Sequence, residues 1–335
     1  MARVTLRDVA ARAGVSRATA SLVLRGTGRV SDETRQRVMD TMAELGYVYD
    51  RVAASLRTQR APFVGVVITN ITNPFFGELF KGLEAALLES GFMPLVASTS
   101  DDPKRQDEVL TMLREHQVAG LAVVPATGSD SVLLDRLTTW GIGHILMTRY
   151  LKDGHATYIG ADDVRGGQLA GEHLVGHGCR KLAYIGGPVT MVSRHDRLTG
   201  LRQAAADAGL HEADVIDLPG ETSGPGGLSL GRRLLELDEL PDGILCHSDN
   251  VAFGLSRALH DQGMADLPVI GYDNISSAAL WQPPLTTVDT HAHALGRQAA
   301  EILLQRMELP AAPSVVTWTQ PELVVRRSCG CHKPS

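Results

Sequence analysis

The first forty-five residues carry a helical period in short segments. In "TLRDVAARAGVSRATASLVLRGTG", Leu6, Val9, Ala10 and Ala13 fall on one face. Thr5 is placed to cap that helix, with Asp8 at its positive end. Gly14 suits the left-handed turn that would stop it, and Ser16 can cap a second helix that turns Ala20 and Val23 inward. A connection of about three residues between two short helices is the helix-turn-helix pattern. A third helix is predicted from Ser31, with Asp32 and Glu33 in its first turn and Val38, Met42 and Leu45 buried.

From Ala61 the pattern changes to apolar runs alternating with amphipathic segments. "FVGVVIT", "FMPLVAST", "VAGLAVVP" and "GHILMT" read as buried parallel strands, with helices such as "FGELFKGLEAALLESG" between them. A second set follows in "YIGADD", "KLAYIGG", "DGILCHSD" and "LPVIGYDN", and "PSVVTWTQPELVVRR" adds late strands. Two doubly wound α/β sheets fit this alternation and the length. Between the two regions, "YDRVAASLRTQRAP" reads as a short helix rather than a loose linker. Asp50 can cap it, and Ala53, Ala54 and Leu56 give it an apolar side. At about two turns it is too short to be stable alone in water.

Charge separates these regions further. Residues 1–60 hold eleven arginines, no lysine and six acids, a net +5, while the remainder has 21 basic and 32 acidic residues, a net −11. A basic head on an acidic body points to a polyanionic partner for the head, and arginine suits bidentate contacts to phosphate or guanine. "MARVTLRDVAARAG" has no apolar leader core and no run is long enough to span a bilayer, so a cytoplasmic protein without a membrane role is expected. Four sparse cysteines make a disulfide framework unexpected. "CGCH" (Cys329 to His332) lacks a second ligand pair and sits in an expected frayed tail, and "HAH" (His291, His293) lies near a helix start where both rings are expected to be solvated, so no metal is expected. No Walker motif, dinucleotide loop or nucleophile–base pattern stands out, so neither a cofactor nor catalysis is expected.

The stretch from "TLRDVAARAGVS" through "VSDETRQRV", "ELGY" and "AASLR" resembles, without a gap, the headpiece of the lactose-repressor (LacI/GalR) family, and the resemblance continues to "ELVVRRS". It implies a helix-turn-helix headpiece over 1–49, a hinge helix over 50–60 and a ligand-binding, dimerising body over 61–335. That body would be two-lobed, like periplasmic sugar-binding proteins. One lobe would span 61–161 and 290–320, the other 162–289 and 321–328. Arg17, Ala18 and Leu22 match the family's base-reading positions; Arg17 can pair with guanine, while Ala18 and Leu22 offer only apolar contact. Thr5, Ser16, Thr19, Ser21, Arg25, Arg29, Ser31 and Tyr47 match positions at phosphates. Ala53, Leu56 and Arg57 match the minor-groove hinge, Leu56 as the wedge that kinks the duplex.

For the body, the resemblance implies an effector cleft at the C-terminal ends of the strands. Asn73, Phe75 and Phe76 match the family's "NPFF", although from the residues alone a plain helix start, with Asn73 as cap, Pro74 first and both rings in the core, is the favoured reading. Arg197 in "SRHDRLTG" and Asp273 in "IGYDN" match cleft positions, with Met191 and Ser193 nearby. Thr148 stands before Arg149 where many relatives have Asp, and Ser248 where many have Asn. Thr222, Thr290 and Trp281 map to the rim. These expectations describe a homodimeric repressor of palindromic double-stranded operator DNA, controlled by a small molecule, a sugar first. No heptad run follows "VVRRSCGCHKPS" to build a tetramer. A nucleobase effector, an extracytoplasmic solute-binding protein and an α/β enzyme are the alternatives.

Overall fold

The computed structural model describes residues 4–24, 26–47, 62–152 and 155–330, and the chain divides into two compact units at Ala61/Pro62. Arg25 and the hinge candidates Ala53, Leu56 and Arg57 lie outside the described residues.

The first unit contains α1 (Leu6–Ala13), α2 (Arg17–Leu24) and α3 (Asp32–Glu44). Thr5 Oγ1 accepts the Asp8 N–H, and the Asp8 carboxylate accepts the Thr5 N–H at 2.8 Å. This capping box fixes the start of α1, and the Thr5 bonds hold the Asp8 carboxyl below its usual range. Gly14 ends α1 at φ 66°. Ser16 accepts the Thr19 N–H at 3.0 Å and Ser31 the Thr34 N–H at 3.4 Å, capping the other two helices. Val9, Ala10, Ala13, Ala20, Val23, Val38 and Met42 form the core. Leu45 is only partly buried, because α3 ends one residue before it. Arg37 Nε donates to the Ala13 carbonyl at 3.1 Å and ties α3 to the end of α1.

The second unit contains two six-stranded sheets. The first comprises β1 (Phe63–Ile68), β2 (Met93–Ser98), β3 (Gly120–Val123), β4 (Gly143–Met147), β5 (Tyr158–Ala161) and β11 (Val316–Thr319), in the order β11-β5-β4-β3-β1-β2. The second comprises β6 (Leu182–Ile185), β7 (Val215–Leu218), β8 (Gly243–Cys246), β9 (Val269–Tyr272), β10 (Thr286–Asp289) and β12 (Glu322–Val324), in the order β12-β10-β9-β8-β6-β7. All pairings are parallel except β12 on β10. Strand order places the passages between sheets after β5, after β10 and between β11 and β12. The central strands are buried throughout, since helices cover both faces.

Around the first sheet lie α4 (Pro74–Glu89), α5 (Pro103–Glu115), α6 (Ser131–Thr139) and α12 (Ala292–Glu308). Around the second lie α7 (Asp163–Gly176), α8 (Val192–Asp207), α9 (Gly224–Leu235), α10 (Asp249–Asp261) and the short α11 (Ser276–Leu280). Three helix pairs, α4/α12, α7/α8 and α9/α10, cross at glycines on both partners. A Cβ on Gly167 of α7 would lie 2.0 Å from the Arg197 carbonyl oxygen, and one on Gly200 of α8 would lie 1.9 Å from that of Val164. Backbone contact at this distance admits no side chain. It therefore sets where α8 presents Arg197.

Two further sequence expectations need correcting here. Trp281 is not on the cleft: its ring stacks on Phe253 with centroids 4.3 Å apart, beside the second lobe's core, because the turn after α11 folds back on α10. Cys329 is not in a frayed segment: it is 1% exposed, within the same lobe's core, where it meets the Thr286 hydroxyl. Among the described residues no helix is long and apolar enough to cross a membrane, and no group of three or more His, Cys, Asp or Glu side chains can hold a metal.

Candidate functional site

Two surfaces carry candidate chemistry, one in each unit. At the start of α2, Arg17 and Ala18 are exposed. Leu22 is half-buried, and its methyl carbons come within 3.1–3.2 Å of where a Cβ on Gly28 would stand. Its side chain is thus partly engaged against the turn after α2, and only part of it is available to a base. Thr5, Ser16, Arg29 and Ser31 are exposed around the same helix starts, while Thr19, Ser21 and Tyr47 are half-buried.

In the second unit a cavity of about 410 Å³ lies between the two sheets' lobes, at the C-terminal ends of their strands. The first lobe contributes Asn70, Asn73, Phe75 and Phe76 after β1, Ser100 and Asp101 after β2, and Thr148 and Arg149 after β4. The second contributes Met191, Ser193 and Arg197, then Glu221, Thr222 and Ser223, then His247, Ser248 and Asp273. Strand ends are where side chains leave the sheet without a helix above them, and the turns are tight: Ser100, Asp101, Thr148 and Asp273 all have positive φ. Asn73 does cap α4, accepting the Phe75 N–H at 3.1 Å, with Pro74 at the first turn. The two phenyl rings, mostly buried and edge-to-face at 5.2 Å, belong to the lobe's core and also reach the cavity. The structural and the cleft-facing readings of this segment therefore coexist.

Two guanidiniums dominate the electrostatics. Arg149 Nη1 pairs with Asp101 at 2.5 Å and donates to the Pro125 carbonyl at 3.1 Å. Arg197 Nε pairs with Asp163 at 2.9 Å, and its Nη1 donates to the His247 carbonyl at 2.6 Å. The Tyr272 ring lies 3.6 Å from the Arg197 guanidinium carbon, and the Tyr272 hydroxyl donates to Asp163 at 2.8 Å. Burial pushes the Asp273 carboxyl well above its usual range, and nearby Arg197 opposes this only in part. Beneath it, Asp249 is fully buried, accepts the Thr287 hydroxyl and the Ile275 N–H, and is pushed up to about 7 by burial.

Contacts also span the cleft. Asn250 donates to Asn73 at 3.4 Å, Tyr150 to Asp196 at 2.9 Å, and Arg149 Nη2 approaches the Met191 sulfur at 3.8 Å. Burial, followed by Asp196, raises the Tyr150 phenol.

The cavity brings together eleven of the effector candidates named from the sequence, from Asn73 to Asp273. Thr290 is not among its lining residues; it is buried at the end of β10, and its hydroxyl has no hydrogen-bond partner among the described residues. Asn70, Ser100, Asp101, Glu221, Ser223 and His247 also line the cavity and were not among the residues named from the sequence. All lie in the short segments after β1, β2, β7 and β8, so their position between a strand end and the next helix was the available signal.

The chain's relatives agree with this layout. Residues 5–50 match the model of bacterial regulatory proteins of the lacI family, and residues 172–329 match a periplasmic binding protein-like domain. The "HTH-type transcriptional repressor PurR" of Mannheimia succiniciproducens is 31% identical over 97% of this chain and 98% of its own. A lac repressor dimer bound to operator and an anti-inducer superposes with a TM-score of 0.87 at 25% identity, covering 98% of this chain and 99% of that one. The regulator CelR in complex with cellobiose gives a TM-score of 0.73 at 29% identity over 97% and 100%. Identity of 31% to a repressor over nearly the full length of both chains, and a separately matched headpiece, lead to one conclusion: the chain belongs to the LacI family of DNA-binding, effector-controlled transcriptional regulators.

Proposed function

We propose that this regulator represses from a palindromic operator as a homodimer in the cytoplasm, and that an uncharged, oxygen-rich small molecule in the interlobe cavity sets its DNA affinity. The carrying observation is the state of the two arginines. Arg149 and Arg197 reach the cavity already neutralised by Asp101 and Asp163, so the site is built for hydroxyls and carbonyls rather than for a phosphate or carboxylate. Sugars fit this chemistry, with Phe75 and Phe76 offering apolar contact to a ring; structural neighbours are described with bound cellobiose and ribose. A nucleobase is the second reading, favoured by the PurR names of several relatives at 30–32% identity. In the headpiece, Arg17 and Ala18 read base edges, with a lesser part for half-buried Leu22, and Leu56 of the hinge opens a central base step. A pyrimidine–purine step is the least costly to open.

A melting-temperature screen of sugars and nucleobases tests the effector reading, because a ligand of the folded state raises apparent stability. The expected result is stabilisation by a neutral sugar or base that is lost in Arg197→Met. Stabilisation by anionic sugar phosphates alone contradicts the argument.

A further inference from the structure

The imidazole of His247, directly after β8, lines the cavity although the residue is 5% exposed. Its Nδ1 lies 2.9 Å from Tyr184 Oη, deep in the second lobe. That is the phenol's one hydrogen bond among the described residues, and a buried O–H without an acceptor is costly. The phenol therefore donates, Nδ1 accepts, and a neutral ring carries its proton on Nε2. Burial first, then Arg197, Arg149 and Arg194, keep the ring neutral. Among the described residues Nε2 has no hydrogen-bond partner, and it is not one of the sealed polar atoms, so it opens to the cavity that the residue lines.

The ring is held on several sides. Gly186 and Gly187 have φ of 96° and 76°, and a Cβ on Gly187 would lie 2.9 Å from Nδ1. Arg194, paired with Asp217 and donating to the Gly186 carbonyl at 3.2 Å, lies over the Tyr184 ring at 5.4 Å. Arg197 grips the His247 carbonyl. A side chain fixed this firmly, with one donor left free, is suited to discrimination.

We propose that His247 determines specificity at the effector site, its Nε2–H donating to a hydroxyl or carbonyl oxygen of the ligand, with Tyr184 as the positioning residue that fixes the tautomer. This rests on the effector reading above. Ligands that present an N–H at that point meet a like donor and are rejected.

Two measurements on the full chain test it. In ¹⁵N-histidine NMR at neutral pH, signals lost in His247→Gln identify the ring, and the expected form is neutral Nε2–H. An imidazolium or an Nδ1–H ring overturns the proposal. In Tyr184→Phe the tautomer preference should relax while the melting transition stays cooperative; an unchanged Nε2–H ring there removes Tyr184 from it. The second measurement is calorimetry with D-ribose, D-glucose, cellobiose and hypoxanthine. For any that binds, His247→Gln should bind within about threefold of the parent, while His247→Leu should lose about tenfold or more. Equal affinity in a folded His247→Leu protein overturns the proposal. If none of the four binds the parent, it is the effector reading that loses support, and the NMR result still decides whether His247 presents a donor.

Discussion

Arg197→Met asks how far the cleft depends on a buried ion pair. Arg197 and Asp163 have side chains 11% and 8% exposed, and the substitution leaves Asp163 with only the Tyr272 hydroxyl of the bonds described above. Breaking one side of a buried pair costs about 3–5 kcal/mol, chiefly because the remaining charge is stranded. Asp163→Asn should cost a comparable amount by stranding the guanidinium. The double variant removes both charges and should cost much less than the sum, with a coupling of roughly 2–3 kcal/mol. Urea unfolding followed by tryptophan fluorescence gives these values. All three tryptophans, Trp140, Trp281 and Trp318, lie in the body, so the signal reports that unit alone. Single-variant costs that add within about 0.5 kcal/mol refute the idea that the pair acts as a unit.

Three further outcomes follow from the geometry. Gly167→Ala should destabilise the body by about 1–3 kcal/mol, because the new methyl meets backbone 2.0 Å away, whereas helix propensity alone predicts a gain of about 1 kcal/mol; a higher urea midpoint contradicts the crossing. Asp249 has a folded pKa of about 7 against 3.8 for the free group, so it binds more protons folded than unfolded; its contribution falls as pH rises between those values, by roughly 4 kcal/mol in all. The stability difference between the parent and Asp249→Asn should therefore slope across pH 4–7, and a flat difference contradicts the assignment. Arg17→Ala should cost about 1–3 kcal/mol and relax preference at one G·C pair per half-site; equal loss on all DNA sequences, measured by competition binding, counts against base reading.

What could be read from the chain was local. Thr5, Gly14, Ser16 and Ser31 act within three or four residues, so spacing exposed the caps of the headpiece. Strand ends were equally readable, since an apolar run stops at or just before Thr148, Ser248 and Asp273. Hidden from the sequence were pairings that only the fold creates. Asp101 meets Arg149 from 48 residues away, and Asp163 meets Arg197 from 34. No periodicity links such residues, and the same holds for Tyr184 with His247. The reciprocal glycines, 33 residues apart in the case of Gly167 and Gly200, carry no local signal of their pairing for the same reason. Trp281, mapped to the rim by the resemblance, was misplaced because no local pattern shows that its ring stacks on Phe253, 28 residues away.

The most direct test is linkage between cleft and operator. Operator affinity is measured by fluorescence anisotropy, on a palindrome selected from random DNA, with and without a ligand that stabilises the parent but not Arg197→Met. The account predicts a change of about five- to 150-fold, and the same factor in ligand affinity when operator is bound, since coupling is reciprocal. A ligand that fills the cleft and leaves operator affinity unchanged would contradict it.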